Sequence, residues 1–160
     1  MDPPRFTQRL RRHAGPEIES DETLLAGVAI QLKGTRSAQS AGRRAGIPDS
    51  PSRRAWEARC EEGAAMGLAV TPFLAFGLTQ RRLLVYRRSN LFRILKECLG
   101  SFSLTEVDQL KRGRFRGKRG EFGNIGLIVG EHSLALEGDK HAFAFVDHFD
   151  ALRSGVIPLT

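Results

Sequence analysis

Short apolar segments separated by turn residues dominate the chain between residues 73 and 137. The turns recur about every 8–12 residues, a spacing typical of consecutive antiparallel strands joined in a meander. The short link Thr79-Gln80-Arg81 predicts a hairpin between the strands on either side of it. The predicted strands cover residues 73–78, 83–86, 91–95, 102–104, 107–114, 122–129 and 133–137. This pattern restricts the chain to a mainly β fold.

One further strand is predicted before this region, because apolar residues occupy every second position between residues 24 and 32. The alternating residues are Leu24, Ala26, Val28, Ile30 and Leu32. This period of two is the signature of a strand with one face in a core. Residues 34–50 follow, and they are rich in Gly, Ser, Ala, Arg and Pro with almost no large apolar group. They are expected to form a mobile insertion, because they cannot repay their ordering entropy.

Two helices are predicted in the first half of the chain. Residues 2–15 form the first, with Asp2 as its N-cap, Phe6 and Leu10 on one face and a stop at residues 15–16. Its outer face is basic and carries Arg5, Arg9, Arg11 and Arg12. The second helix runs from Ser50 to about Met66 and carries Trp56, Cys60 and Ala64 at helical spacing.

The clearest helix closes the chain at residues 139–152. Asp139 caps its N-terminus, and Gly155 and Pro158 end it. Its apolar stripe consists of Ala142, Phe145, Val146, Phe149 and Leu152. Such a stripe needs a hydrophobic surface, so the helix is expected to cover the sheet.

Three segments together resemble bacterial pleckstrin-homology-like and GRAM-like domains. The hairpin Phe76-Gly77-Leu78-Thr79-Gln80-Arg81-Arg82-Leu83-Leu84-Val85-Tyr86 is similar to their hairpin, Ser101-Phe102-Ser103-Leu104-Thr105-Glu106-Val107 to a short strand and turn, and residues 139–152 to the closing helix. The likeness covers about residues 23–33 and 73–152. It implies a small antiparallel barrel or sandwich closed by a C-terminal amphipathic helix, and a non-catalytic role in binding lipids or proteins.

The expected organisation is one such domain over residues 23–152. An insertion at about 34–66 departs from a minimal domain of this kind and contains a helix of its own. Residues 1–22 precede the domain as a helix and an acidic turn, and residues 153–160 follow it as a tail. A chain of 160 residues is long enough for one core.

Composition limits the compartment and the class of protein. The 41% hydrophobic and 27% charged residues are globular averages. No stretch reaches the ~20 apolar residues of a membrane-spanning helix, and the N-terminus lacks the apolar core of a signal peptide. Two cysteines, Cys60 and Cys98, are too few for a secreted scaffold and are expected to be reduced thiols. The expected location is the cytoplasm, or the periphery of the membrane at its inner face.

The sharpest local feature is a basic segment at residues 111–119, which is expected to bridge two strands. Its six cations are Lys111, Arg112, Arg114, Arg116, Lys118 and Arg119, and the segment has no acid. One interpretation is a solvated hairpin whose charges keep an edge soluble. The functional hypotheses are an anionic lipid surface, with ~1 kcal/mol per cation, or an acidic protein partner. Nucleic acid is the alternative, with Phe115 stacking on a base. Arg81, Arg82, Arg87 and Arg88 are expected to assist the segment.

No catalytic residue, metal site or cofactor is predicted. His141 and His148 lie seven residues apart on a helix, about 10 Å, too far to share one metal directly. The spaced glycines Gly120, Gly123 and Gly126 are followed by a strand rather than a helix, so they do not form a phosphate-binding loop. Trp56 and Phe73 are expected in the core. A partner-binding surface or a dimer through the inserted helix is the alternative.

Overall fold

The computed structural model describes residues 3–35, 51–89, 94–116 and 122–155. Three α-helices and seven strands are found within these ranges. The helices are α1 (Pro3–His13), α2 (Pro51–Ala65) and α3 (Lys140–Arg153). The strands are β1 (Leu24–Leu32), β2 (Phe73–Thr79), β3 (Arg82–Arg88), β4 (Leu95–Ser103), β5 (Gln109–Arg116), β6 (Phe122–Val129) and β7 (His132–Gly138).

All seven strands belong to one antiparallel sheet in the order β4-β3-β2-β1-β7-β6-β5. The sheet consists of two meanders that meet at β1. Most of β1 pairs with β2, whereas only Gln31 and Leu32 pair with β7. Strands β4 and β5 end the sheet, so it is not a closed barrel. The predicted fold class is confirmed: an antiparallel sandwich closed by a C-terminal helix, with an inserted helical segment.

The inner face of the sheet packs against α3. Asp139 caps this helix as predicted, because its carboxylate accepts hydrogen bonds from the amides of His141 at 2.9 Å and Ala142 at 3.2 Å. All five residues of the predicted stripe are buried, and Phe143 is buried with them. A Cβ at Gly123 would lie 2.3 Å from the ring of Phe143. Glycine at this position of β6 therefore lets the helix approach the sheet.

The outer face of the β1–β4 half is covered by α1, which confirms the helix predicted over residues 2–15. The proposed cap Asp2 lies outside the described residues. The apolar face of α1 packs on the sheet, where Leu10 is fully buried and Phe6 is 7% exposed. A Cβ at Gly27 would lie 2.7 Å from Leu10 Cδ2. Glycine at position 27 therefore leaves the space that the Leu10 side chain occupies.

The expectation that the alternating residues of β1 share one face is wrong at Leu24. The pairing of β1 with β2 shifts between Leu24 and Ala26. Leu24 consequently packs with Leu10 on the outer face, whereas Val28 and Ile30 belong to the inner core. A one-residue irregularity moves a side chain to the opposite face of a sheet, and the residue types do not reveal it.

The two strands predicted at residues 91–95 and 102–104 are corrected to the single strand β4. Residues 91–93 lie outside the described part of the chain. An edge strand has one neighbour, so its middle can carry exposed residues such as Glu97 and Ser101. The pairing with β3 is also irregular on both sides of Tyr86. These two effects remove the alternation that predicts a strand.

The predicted inserted helix is confirmed as α2, but its buried face differs at one position. Trp56 and Cys60 pack against the inner core, whereas Ala64 is exposed. Gly63 is buried in its place, since a Cβ there would lie 2.4 Å from Val70. Glycine at position 63 lets α2 approach Val70 closely, a contact that the apolar spacing did not predict. Residues 36–50, most of the predicted mobile insertion, lie outside the described residues.

Candidate anion-binding site

The first part of the basic segment forms a strand, not a connection between strands. Lys111, Arg112 and Arg114 lie on β5, where all three are exposed. The strand predicted at residues 107–114 is confirmed as β5, whereas the expectation that the segment bridges two strands does not hold for residues 111–116. Lys111 is opposite Gly126 and Arg112 is opposite Ile125 of β6. An edge strand accepts such charged side chains because one of its sides has no neighbouring strand.

Of the other three cations of the segment, the structure describes Arg116. Arg116 ends β5 in register with Phe122 of β6. Lys118 and Arg119 lie outside the described residues. The site thus includes three exposed cations, Lys111, Arg112 and Arg114, on the strand at one end of the sheet.

Arg112 is held by α3 from two directions. Its Nη1 lies 3.1 Å from Asp147 Oδ1, and its guanidinium carbon lies 5.8 Å from the centre of the Phe143 ring. The two charged side chains are 48% and 58% exposed. An ion pair this open to water stabilises a protein by about 0–1 kcal/mol. Arg112 is therefore oriented by its partners but can exchange Asp147 for another anion at small cost.

Lys111 and Arg114 are exposed without an ion pair in the described part of the chain. Their charges are not compensated by a fixed carboxylate within that part. Positive potential is consequently concentrated on this edge of the sheet.

The arginines of the β2–β3 hairpin are separated from the basic segment in the strand order, and their expected help to it stays a prediction. Strand β3 is second from one end of the sheet and β5 forms the other end. Each of the four is also engaged locally. Arg81 pairs with Glu19 and Asp21, Arg82 with Glu22, and Arg87 with Glu97, whereas Arg88 donates to the Leu74 carbonyl and lies over Phe73. Their ion pairs and hydrogen bonds stabilise the hairpin and the segments next to it.

The strongest of these pairs involves a buried acid that the sequence analysis did not identify. Glu22 is inaccessible to solvent and accepts hydrogen bonds from Arg82 Nε at 2.9 Å and from the Thr79 hydroxyl at 2.8 Å. The hydrogen bond from Arg82 lowers the pKa of Glu22 to about 2, against the opposing effect of burial. The partners are about 60 residues apart in sequence. The available signal was an acid two residues before the strand predicted at residues 24–32.

The remaining chemical candidates are distributed over the fold. Within the described ranges, no three His, Cys, Asp or Glu side chains are grouped to hold a metal ion. Burial raises the pKa of both thiols, Cys60 and Cys98, and both are free. Trp56 packs against the inner core, and its buried indole N–H has no hydrogen-bond partner among the residues that the structure describes. Phe73 is half-buried beneath Arg88.

Comparison with known proteins gives similarity at the level of structure. No family model and no curated protein matches the sequence. The hSac2 domain of the human phosphoinositide phosphatase Sac2 is similar with a TM-score of 0.50 and 12% identity, over 96% of this chain and 83% of that one. A DUF1696 family protein with a pleckstrin-homology domain from Shewanella loihica PV-4 gives 0.48 and 10%, over 91% and 92%.

The fold is pleckstrin-homology-like. This follows from the two antiparallel meanders and the closing helix, and at such low identity the similarity concerns the fold alone. None of the helices in the described residues is both long and apolar enough to cross a membrane.

Proposed function

We propose that the protein is a non-catalytic binding module of GRAM-like type that holds an anionic surface, preferentially acidic lipid, on the basic segment at residues 111–119. The observation that carries this proposal is the group of three exposed cations on β5. Lys111 and Arg114 have no ion pair in the described chain, and Arg112 has one that is open to solvent. The likeness of residues 76–86 to GRAM-like hairpins supports the assignment of type.

The affinity of this surface comes from charge. Among the described residues, Ile94 is the exposed large hydrophobic side chain, and it does not lie on β5. Each Lys or Arg near an anionic membrane contributes ~1 kcal/mol. The three exposed cations Lys111, Arg112 and Arg114 thus contribute about 3 kcal/mol, and the attraction decays over ~8 Å at physiological salt. Binding is reversible and depends on salt and on headgroup charge.

An acidic protein is the second candidate partner. Strand β5 ends the sheet, and its residues Lys111, Arg112 and Arg114 are exposed. An extended acidic segment could add to this edge through main-chain hydrogen bonds. Binding of a polyglutamate peptide in preference to anionic vesicles is the result that would favour this candidate.

The non-catalytic part of the proposal rests on the state of the reactive groups. Desolvation raises the pKa of Cys60 and Cys98, which opposes formation of the nucleophilic thiolate. Burial likewise raises the pKa of Tyr86. Glu22 is held ionised by Arg82 and Thr79, so it is a poor proton acceptor. Turnover of a substrate that depends on one of these groups would overturn the proposal.

Vesicle sedimentation tests the partner. The wild type is mixed with phosphatidylcholine vesicles that contain increasing phosphatidylserine, beside a variant with Lys111, Arg112 and Arg114 changed to Gln. We expect binding that rises with phosphatidylserine and falls about 100-fold in the variant, since three cations at ~1 kcal/mol are lost.

A matched control changes Lys33, Arg54 and Arg59 to Gln, which removes the same charge from positions outside β5. This control should stay within a few-fold of the wild type. Equal losses in both variants would show that net charge alone matters. Equal binding to neutral and acidic vesicles would contradict the lipid proposal.

A further inference from the structure

Acidic and basic residues are separated in the N-terminal region of the protein. Helix α1 contains four arginines and no acid. The acidic turn that follows it faces the β2–β3 hairpin: Glu19 and Asp21 pair with Arg81, and Glu22 pairs with Arg82. These acids are therefore committed to arginines of another element.

Three of the four arginines of α1 lie opposite its buried face. Phe6 and Leu10 are buried on the sheet, whereas Arg5 and Arg12 are exposed. Arg5, Arg9 and Arg12 follow the spacing i, i+4, i+7, which places them on one side of a helix over about 10 Å. Arg5 and Arg12 make no ion pair within the described residues.

Polar contacts at the C-terminal half of α1 fix the helix on the sheet. Arg11 Nη2 donates to the Leu24 carbonyl at 2.8 Å. His13 Nε2 lies 2.5 Å from the Lys96 carbonyl oxygen, so Lys96 of β4 adjoins the end of the helix. The arginine face is thus presented by a fixed element.

The shape of this surface favours a grooved partner over a flat one. In the described part of the chain, α1 is the helix that covers the outer face of the β1–β4 half, so it forms a ridge. A helix is about 10–12 Å wide, and the major groove of B-form DNA is about 12 Å wide. A flat lipid bilayer would contact only the outermost side of the α1 ridge. It would also gain no inserted side chain, because Phe6 and Leu10 are buried against the sheet.

We propose that the arginine face of α1, on which Arg5 and Arg12 are exposed and Arg9 is half-buried, binds duplex DNA through its phosphates, independently of the basic strand β5. One guanidinium group can donate two parallel hydrogen bonds to a phosphate. Such contacts position a protein on DNA without recognising its base sequence. Arg5, Arg9 and Arg12 are the contact residues, and Lys96 lies at the margin. The interaction is independent of sequence and decreases steeply with salt.

Fluorescence anisotropy with a labelled 20-base-pair duplex tests this proposal between 50 and 200 mM salt. Three variants each lose three positive charges to Gln: Arg5, Arg9 and Arg12 on α1; Lys111, Arg112 and Arg114 on β5; and Lys33, Arg54 and Arg59 as the control. Each neutralised phosphate contributes about 0.9 to the slope of log affinity against log salt. We expect the α1 variant to lose about 2.7 of this slope, and the other two less than 1.

Several outcomes would overturn the proposal. Equal loss in all three variants would assign the binding to net charge, and an unchanged α1 variant would exclude the helix. Wild-type binding to phosphatidylserine vesicles that the α1 substitutions abolish, without binding to DNA, would assign this face to lipid. Thermal melts must agree among the variants, because the substituted arginines lie outside the core. The vesicle assay on the β5 variant separates a failure of this inference from a failure of the proposed function.

Discussion

At the residue scale, the most consequential contact is the pair of Glu22 and Arg82. Glu22 is inaccessible to solvent, whereas Arg82 is 25% exposed. The carboxylate accepts hydrogen bonds from the charged Arg82 and from the neutral Thr79 hydroxyl. These bonds offset the free-energy cost of burying the charge. The pair ties the turn after α1 to the start of β3. The sequence marks only the acid, since a pairing across about 60 residues leaves no pattern that identifies its partner.

Replacement of Glu22 by Gln should lower the free energy of unfolding by about 3 kcal/mol at pH 7, since it leaves Arg82 without its partner. Urea unfolding measures this change. The variant Glu97→Gln is a matched control, because Glu97 binds Arg87 with two hydrogen bonds but is exposed. Its midpoint should change little. Equal destabilisation by the two substitutions would contradict the role of burial.

The same pair predicts acid sensitivity. The folded pKa of Glu22, about 2, is below its ordinary value of 4.5. A depressed pKa contributes stability that is fully present above pH 4.5 and is lost as the pH falls toward 2. The difference in unfolding free energy between wild type and Glu22→Gln should therefore shrink between pH 5 and pH 2. A difference that stays constant over this range would disagree with the lowered pKa.

At the element scale, the predictability of each strand and helix follows its position in the sheet. Strand β6 and helix α3 were predicted almost residue for residue, because one face of each is buried and the apolar period is unbroken. Strand β4 was not, since it lies at an edge and its register is irregular. The site shows the same limit. The strand that carries the cations of β5 was predicted at residues 107–114, but its end at Arg116 was not, because charge obscures the period.

The docking of α3 depends on a glycine where β7 ends. A Cβ at Gly138 would lie 2.4 Å from the Cβ of Ala142, in the first turn of the helix. Neither atom can rotate away, so Gly138→Ala should lower the free energy of unfolding by about 1–3 kcal/mol. Gly126→Ala in β6 is the control, because its new Cβ would lie 3.9 Å from Lys111. Thermal melting of both variants checks the difference, and a melting temperature equal to that of the wild type in Gly138→Ala would refute the close approach.

At the scale of the whole molecule, α1 is part of the folded core. Leu10 and Ala14 are fully buried, and they pack with Leu84 and Tyr86 of β3. The separate N-terminal unit predicted at residues 1–22 remains a prediction about domain boundaries. The packing itself could not be predicted, because the sheet residues that receive α1 include glycines and alanines without an apolar signal of their own.

Leu10→Ala tests this packing. The substitution removes a fully buried side chain between two layers, and such changes cost about 2–5 kcal/mol. Equilibrium unfolding should show a single transition at lower denaturant. The exposed neighbour Gln8→Ala should leave the midpoint unchanged. Unaltered stability of Leu10→Ala would mean that α1 contributes nothing to the core.

The two-residue pairing of β1 with β7 has a consequence for synthesis of the protein. Gln31 and Glu137, which are hydrogen-bonded at this junction, are 106 residues apart in the chain. At about 5–20 residues per second, β7 leaves the ribosome about 5–20 s after β1. The β1–β4 meander can form during that interval, with one margin of β1 still unpaired. The second meander completes the sheet only when translation has almost reached the end of this sequence, so a nascent chain must keep that margin from pairing with other chains until then.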